Sequence, residues 1–89
     1  MKIVELDGRK MDSIQNTHTY LKESMELPEY YGENLDAMYD VLSDISENTF
    51  VFVLNSQQMR ESLGDYSARM EQVWEDLAQS NKHLSFFMR

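Results

Sequence analysis

The sequence predicts an α/β fold, a three-stranded parallel sheet with four helices, and three observations predict it. Short apolar runs with strand character stand at Lys2 to Leu6, Thr49 to Leu54 and Leu84 to Met88. Each interval between them carries two stretches of helical periodicity, so the order is strand, two helices, strand, two helices, strand. The middle run, Thr49-Phe50-Val51-Phe52-Val53-Leu54, is continuously apolar rather than alternating, the pattern of a strand buried inside a parallel sheet. Strands joined by helical crossovers of this length run parallel, with right-handed connections. At 89 residues, positions 1–89 make a single domain with one modest core.

Taken in order, Ile3, Val4 and Leu6 form the first strand, which stops at the turn pair Asp7-Gly8. Asp12, with Gln15 three residues later, suits an amino-terminal cap for the first helix. Ile14, His18, Leu21 and Met25 trace its apolar face, and Pro28 ends the pattern. A loop from Leu27 to Glu33 follows, and Asn34 can cap the second helix. On that helix Leu35, Met38, Val41, Leu42 and Ile45 share one face. Asn55-Ser56 opens a short third helix ending at Gly64, and Asp65 can cap a fourth. The inward face of the fourth is Tyr66, Met70, Val73, Trp74 and Leu77, with Asn81 as carboxy-terminal cap. Most of the seven methionines read as flexible core filler.

Charge is distributed very unevenly. Between Glu23 and Met59 there is no Lys or Arg, yet Glu23, Glu26, Glu29, Glu33, Asp36, Asp40, Asp44 and Glu47 all fall there. Elsewhere acids and bases balance, so the net charge of −8 belongs to the loop, the second helix and their flanks. Asp36, Asp40 and Asp44 stand four apart, and like charges at that spacing cost an isolated helix a few tenths of a kcal/mol per pair. Fold stability gives no reason to choose them. A solvated helix face that keeps the protein soluble is the simpler reading. The absence of compensating lysines and the tyrosines Tyr30 and Tyr31 at the rim favour a surface built for a basic partner.

The same pattern excludes several classes. A nucleic-acid binder draws affinity from Lys and Arg on phosphates, which this surface lacks. With no cysteine there is no disulfide framework, thiolate metal site or cysteine nucleophile. The start of the chain, Met-Lys-Ile-Val-Glu-Leu-Asp, has no signal-peptide character, and no run is long enough to span a bilayer, so a cytoplasmic protein without membrane contact is expected. His18 on the apolar face reads as a packed, hydrogen-bonded core histidine, and His83 has no cluster around it. Asp36, Asp40 and Asp44 could in principle hold a hard cation such as Mg²⁺ or supply an acid/base pair. An exposed stripe offers neither the enclosure nor the further ligands this needs. No phosphate-binding glycine loop or Ser/His/Asp set is legible, and no enzyme activity, cofactor or metal is expected. Tyr30 and Tyr31 divide the work, one packing inward beside Leu27 and the other presenting its ring to a partner. Trp74 belongs to the core.

The segment Leu27 to Leu42, LPEYYGENLDAMYDVL, resembles the signature of barstar, the bacterial intracellular inhibitor of a secreted ribonuclease, and the order of elements resembles that family over essentially the whole chain. The resemblance implies the same three-stranded sheet with four helices, and a one-to-one inhibitor of a guanyl-specific, barnase-type ribonuclease. It implies that Asp40 takes the enzyme's phosphate subsite, Asp36 meets a second basic residue, and Tyr30 stacks on the catalytic histidine. Asp76 falls at the position of a family glutamate that also meets a basic residue, one methylene shorter here. Tyr31, Gly32, Asn34, Tyr39, Ser43 and Asp44 complete the implied partner-binding set. The family also carries a histidine at the place of His18. This chain departs from the family in having Tyr39 for a tryptophan, Asp44 for a glycine, Ile45 for an aromatic residue, and Val41 in place of one of two cysteines. The free protein is expected to be a monomer. An immunity protein against another nuclease toxin, or an acidic module for a different basic partner, is the alternative.

Overall fold

Three parallel strands, β1 (Lys2–Asp7), β2 (Thr49–Leu54) and β3 (Leu84–Met88), form a sheet in the order β1-β2-β3. This is seen in the computed structural model, which describes residues 1–89. Between β1 and β2 lie a 3₁₀ turn (Gly8–Lys10), α1 (Ile14–Ser24) and α2 (Leu35–Ser43). Between β2 and β3 lie α3 (Ser56–Leu63) and α4 (Asp65–Ser80). The expected element order and strand direction are therefore those of the structure.

The register aligns Val4, Val51 and Phe86 across the sheet, and Leu6, Val53 and Met88 one pleat further. These side chains point to the helical layer. Val4, Leu6, Val51, Val53 and Leu84 are buried there with Leu21, Met38, Leu42, Met70, Trp74 and Leu77. The Trp74 indole lies flat on Phe86, with ring centroids 4.9 Å apart and planes at 4°. Five of the methionines, Met11, Met25, Met38, Met59 and Met70, are buried gap-fillers.

The opposite pleat differs from expectation. Strand β2 is buried on one face only, with Phe50, Phe52 and Leu54 half-buried on the other. The cause is topological. Both crossovers advance in one direction across the sheet, and right-handed connections then put every helix on the same side. Ile3 and Phe87 are open to solvent on the bare face, at 59% and 50% exposure, and Phe87 stacks on Phe52 at 5.0 Å. Gly8 is fixed by close approach, since a Cβ there would stand 2.2 Å from the Asn55 carbonyl oxygen. Beside it Asp7 accepts hydrogen bonds from Arg9 and Asn55, and the Arg9 guanidinium holds its carboxyl far below the usual range.

Two capping expectations are corrected. Ser13, not Asp12, caps α1: its Oγ accepts from Asn16 N at 3.1 Å, while Asp12 accepts from the Asn16 side chain. Gly64 at φ +57° precedes α4, and Asp65 is its first helical residue rather than its cap. Ile14 lies beyond the edge of the α1 apolar face and is 47% exposed. On α4 the buried residues are Ser67, Met70, Trp74 and Leu77, with Tyr66 and Val73 half-buried at the margin.

Candidate partner-binding surface

The loop between α1 and α2 is fastened at both ends before it presents anything to solvent. Helix α1 closes in a Schellman arrangement, with Leu27 N donating to Lys22 O at 2.9 Å and Glu26 N to Glu23 O at 3.4 Å. Glu26 takes the left-handed position at φ +54°, where glycine is usual. At the far end Glu33, also at φ +54°, is held through its carboxylate, which accepts from Thr19 Oγ1 at 2.9 Å and Gln15 Nε2 at 3.2 Å. Between these anchors Tyr31 N donates to Pro28 O at 2.9 Å, closing a tight turn.

The turn separates the two tyrosines. Tyr30 stands at its tip, 83% exposed, while Tyr31 folds into the core. Tyr31, named with the contact set, thus has its ring buried rather than presented at the surface. Its hydroxyl lies 2.6 Å from His18 Nδ1, and the Tyr66 hydroxyl lies 2.6 Å from His18 Nε2. A neutral imidazole donates from one ring nitrogen and accepts at the other, so it serves both hydroxyls at once. Burial lowers the pKa of His18 and raises those of both tyrosines, keeping all three neutral. His18 therefore ties the loop to α1 and α4, as the packed-histidine reading expects.

Asn34 starts α2, its Oδ1 accepting from Ala37 N at 2.8 Å and its Nδ2 donating to Gly32 O at 3.3 Å. That side chain is committed to the cap, and Gly32 to the approach to it. Met38 and Leu42 are buried, with Leu35, Val41 and Ile45 packed beside them. The remaining faces carry Asp36, Tyr39, Asp40, Ser43 and Asp44, all exposed. Asp36 lies in the first turn, where the helix dipole favours it. Asp40 and Asp44 lie at the carboxyl end, where the dipole opposes them, and no basic residue stands in the last turn.

No Lys or Arg of the chain pairs with Asp36, Asp40 or Asp44, whereas Glu26 meets Lys2, Glu29 meets Lys22 and Glu47 meets the terminal amine. A cleft of about 470 Å³ runs beside the stripe, with Leu27, Pro28, Tyr30 and Val41 supplying apolar wall, Asp40, Asp44, Glu26 and Glu47 supplying negative charge, and Lys2 the one cation among its lining residues. No group of three or more His, Asp or Glu side chains gathers closely enough to hold a metal ion.

Helix α4 borders the same surface. The Tyr39 hydroxyl lies 3.3 Å from Ser80 Oγ, and Asp76 sits one turn before Ser80 on α4, accepting from Gln72 Nε2 at 3.0 Å. Tyr30, Asp36, Tyr39, Asp40 and Asp44 thus come together around α2, with Asp76 on the neighbouring helix. Ser43 turns back, its Oγ donating to Asp40 O at 2.9 Å. Asn81 has a role that local sequence did not reveal. Its Nδ2 reaches Leu42 O at 3.1 Å, Ile45 O at 3.0 Å and Ser43 O at 3.4 Å, and its Oδ1 accepts from His83 N at 2.9 Å. Asn81 is the carboxy-terminal cap of α4, as the periodicity marked it, its N–H donating to Leu77 O at 2.8 Å, while its side chain serves carbonyls at the end of α2 and just beyond it.

No helix of the chain is long and apolar enough to cross a membrane. The family model described as "Barstar (barnase inhibitor)" matches residues 1–89. The chain is also similar to YrdF of Bacillus subtilis (strain 168), named as a candidate ribonuclease inhibitor, at 30% identity over 83 residues, covering 92% of this chain and 91% of that protein. The chain therefore belongs to the barstar family, whose members are inhibitors and not enzymes, and its three-stranded parallel sheet with four helices is consistent with that family's fold.

Proposed function

We propose that this protein inhibits a cationic, guanyl-specific ribonuclease of the barnase type, one-to-one, by seating α2 and the preceding loop in the enzyme's active-site cleft. One observation carries the reading: three exposed carboxylates on α2 lack any internal cation and adjoin a fully presented tyrosine. A ribonuclease cleft is lined with Arg, Lys and His to bind phosphates, so carboxylates at phosphate positions satisfy it without a scissile bond. Asp40 is the anchor, Asp36 and Asp76 meet further basic groups, and Tyr30 stacks on the catalytic histidine. Tyr39, Gly32, Asn34, Ser43 and Asp44 form the surrounding contact. Uncompensated charge of one sign also speeds encounter with a cationic enzyme.

This assigns the protein to the cytoplasm of the producing cell, as a monomer that protects RNA from a secreted enzyme before export or from a competitor's toxin. Asp44 and Ile45, at the rim of the cleft, tune the fit to the cognate enzyme. The test is titration into a barnase-type ribonuclease while cleavage of a short RNA is followed. A sharp one-to-one endpoint, lost in Asp40→Ala and kept in Glu47→Ala, is expected. Truncating a desolvated interfacial charge costs more than about 2 kcal/mol in complexes of this kind, because its partners stay buried and unpaired. Equal losses from both substitutions would leave only a diffuse acidic surface, and absence of inhibition would point to a different basic partner.

A further inference from the structure

The carboxyl end of α2 has a charge problem. A helix end of this kind already carries about half a negative charge, and here Asp40 and Asp44 add to it with no basic residue in the last turn. Lys or Arg commonly hydrogen-bonds such terminal carbonyls. At this place either would discharge the surface that the proposed function uses. The fold supplies a neutral donor from a distant part of the chain instead. The Asn81 amide, 7% exposed, spans the carbonyls of Leu42, Ser43 and Ile45, while its oxygen is tied to His83 N. Local donors meet Asp40 O (Ser43 Oγ), Val41 O (Asp44 N) and, together with Asn81, Leu42 O (Ile45 N), which leaves Ser43 O and Ile45 O to the Asn81 amide.

We propose that Asn81 is a positioning residue of the ribonuclease-binding surface: its amide fixes the end of α2, and so the aim of Asp40 and Asp44, without bringing a positive charge. The inference rests on the proposed function. An amide is suited to this because one planar group offers two hydrogens to two carbonyls and an oxygen to a third partner. A buried amide bonded on both sides holds one rotamer, and rigidity of the charged end matters most after encounter. Long-range attraction depends on total charge, whereas residence depends on where the carboxylates point.

The experiment uses the full chain and a barnase-type ribonuclease, measuring association by stopped flow and dissociation by displacement. Asn81→Ala is compared with Leu63→Ala, a core truncation in α3, which belongs to the other crossover and supplies no hydrogen bond to the α2 carbonyls. Both are assayed at a temperature where each is fully folded. Asn81→Ala is expected to dissociate about tenfold faster, the effect of about one buried hydrogen bond, with association within about twofold of the parent. Leu63→Ala is expected to change neither rate. Equal acceleration in both variants, or none in Asn81→Ala, overturns the proposal. Should Asn81→Ala not fold, Asn81→Ser, which keeps one short donor, takes its place. Failure of the parent to bind would instead refute the proposed function. Positioning would then be read from amide exchange at Asp44 and Ile45. Selective acceleration there in Asn81→Ala, absent in Leu63→Ala, supports it, and unchanged exchange overturns it.

Discussion

Replacing Asp44 by asparagine removes one charge from the carboxyl end of α2 and keeps the side-chain shape. Asp44 is the carboxy-terminal cap, at φ −89° and ψ −2°, and its carboxylate forms no ion pair within the protein. The substitution therefore breaks no stabilising charge contact. It removes an unfavourable interaction with the helix dipole, worth about 0.3–1 kcal/mol, and repulsion from Asp40 one turn earlier, worth about 0.2–0.5 kcal/mol. The free protein should gain about 0.5–1.5 kcal/mol, which raises the melting temperature of a domain this size by about 2–12 °C. Differential scanning calorimetry at low salt measures this. At 1 M salt the screening length falls to about 3 Å, and the gain should largely vanish. The same variant should associate more slowly with a cationic ribonuclease, because steering depends on the summed field. A melting temperature that is unchanged or lower at low salt would refute the electrostatic account of this helix.

Burial lowers the His18 pKa from its ordinary 6.5, so the fold holds the neutral ring and its contribution is complete above pH 6.5. Stability should decline as pH drops below 6.5 towards the lower folded-state value, seen as a urea midpoint that is level above pH 6.5 and falls beneath it. His18→Gln should flatten that slope, and a slope equal to the parent's would show that other groups cause it. Gly8→Ala should destabilise by about 2 kcal/mol or more, because a Cβ would stand 2.2 Å from backbone that cannot yield cheaply. A neutral result in chemical denaturation would mean the β1–β2 junction relaxes. Glu26→Gly should stabilise by about 0.5–1 kcal/mol, since it relieves the left-handed strain at the end of α1 and loses only an exposed pair with Lys2 at 3.9 Å. An unchanged or lower urea midpoint would count against strain at that position.

Much of the fold was legible in the sequence because its signals are local. Strands β2 and β3 and helix α2 show their type within a few residues, through apolar runs, helical periodicity and the Asn34 cap. The acidic stripe was legible for the same reason, since four-residue spacing alone places Asp36, Asp40 and Asp44 on one helix side. Other features escaped. Asp12 and Ser13 are both competent caps, and which one serves depends on where the chain leaves the 3₁₀ turn. The bare face of β2 could not be read from its apolar run, because coverage depends on the direction in which the crossovers move across the sheet.

By itself, then, the sequence determined the order and kind of the elements and the concentration of charge on one loop and helix. These follow from neighbours along the chain. The tertiary structure alone decided that Tyr30 faces solvent while Tyr31 bonds His18, and that the α2 carboxylates find no internal cation. It alone brought Asn81 to the carbonyls of α2 and Tyr39 to Ser80. Each of these joins residues tens of positions apart or depends on what surrounds a side chain, and such relations exist only once the helices have packed on the sheet.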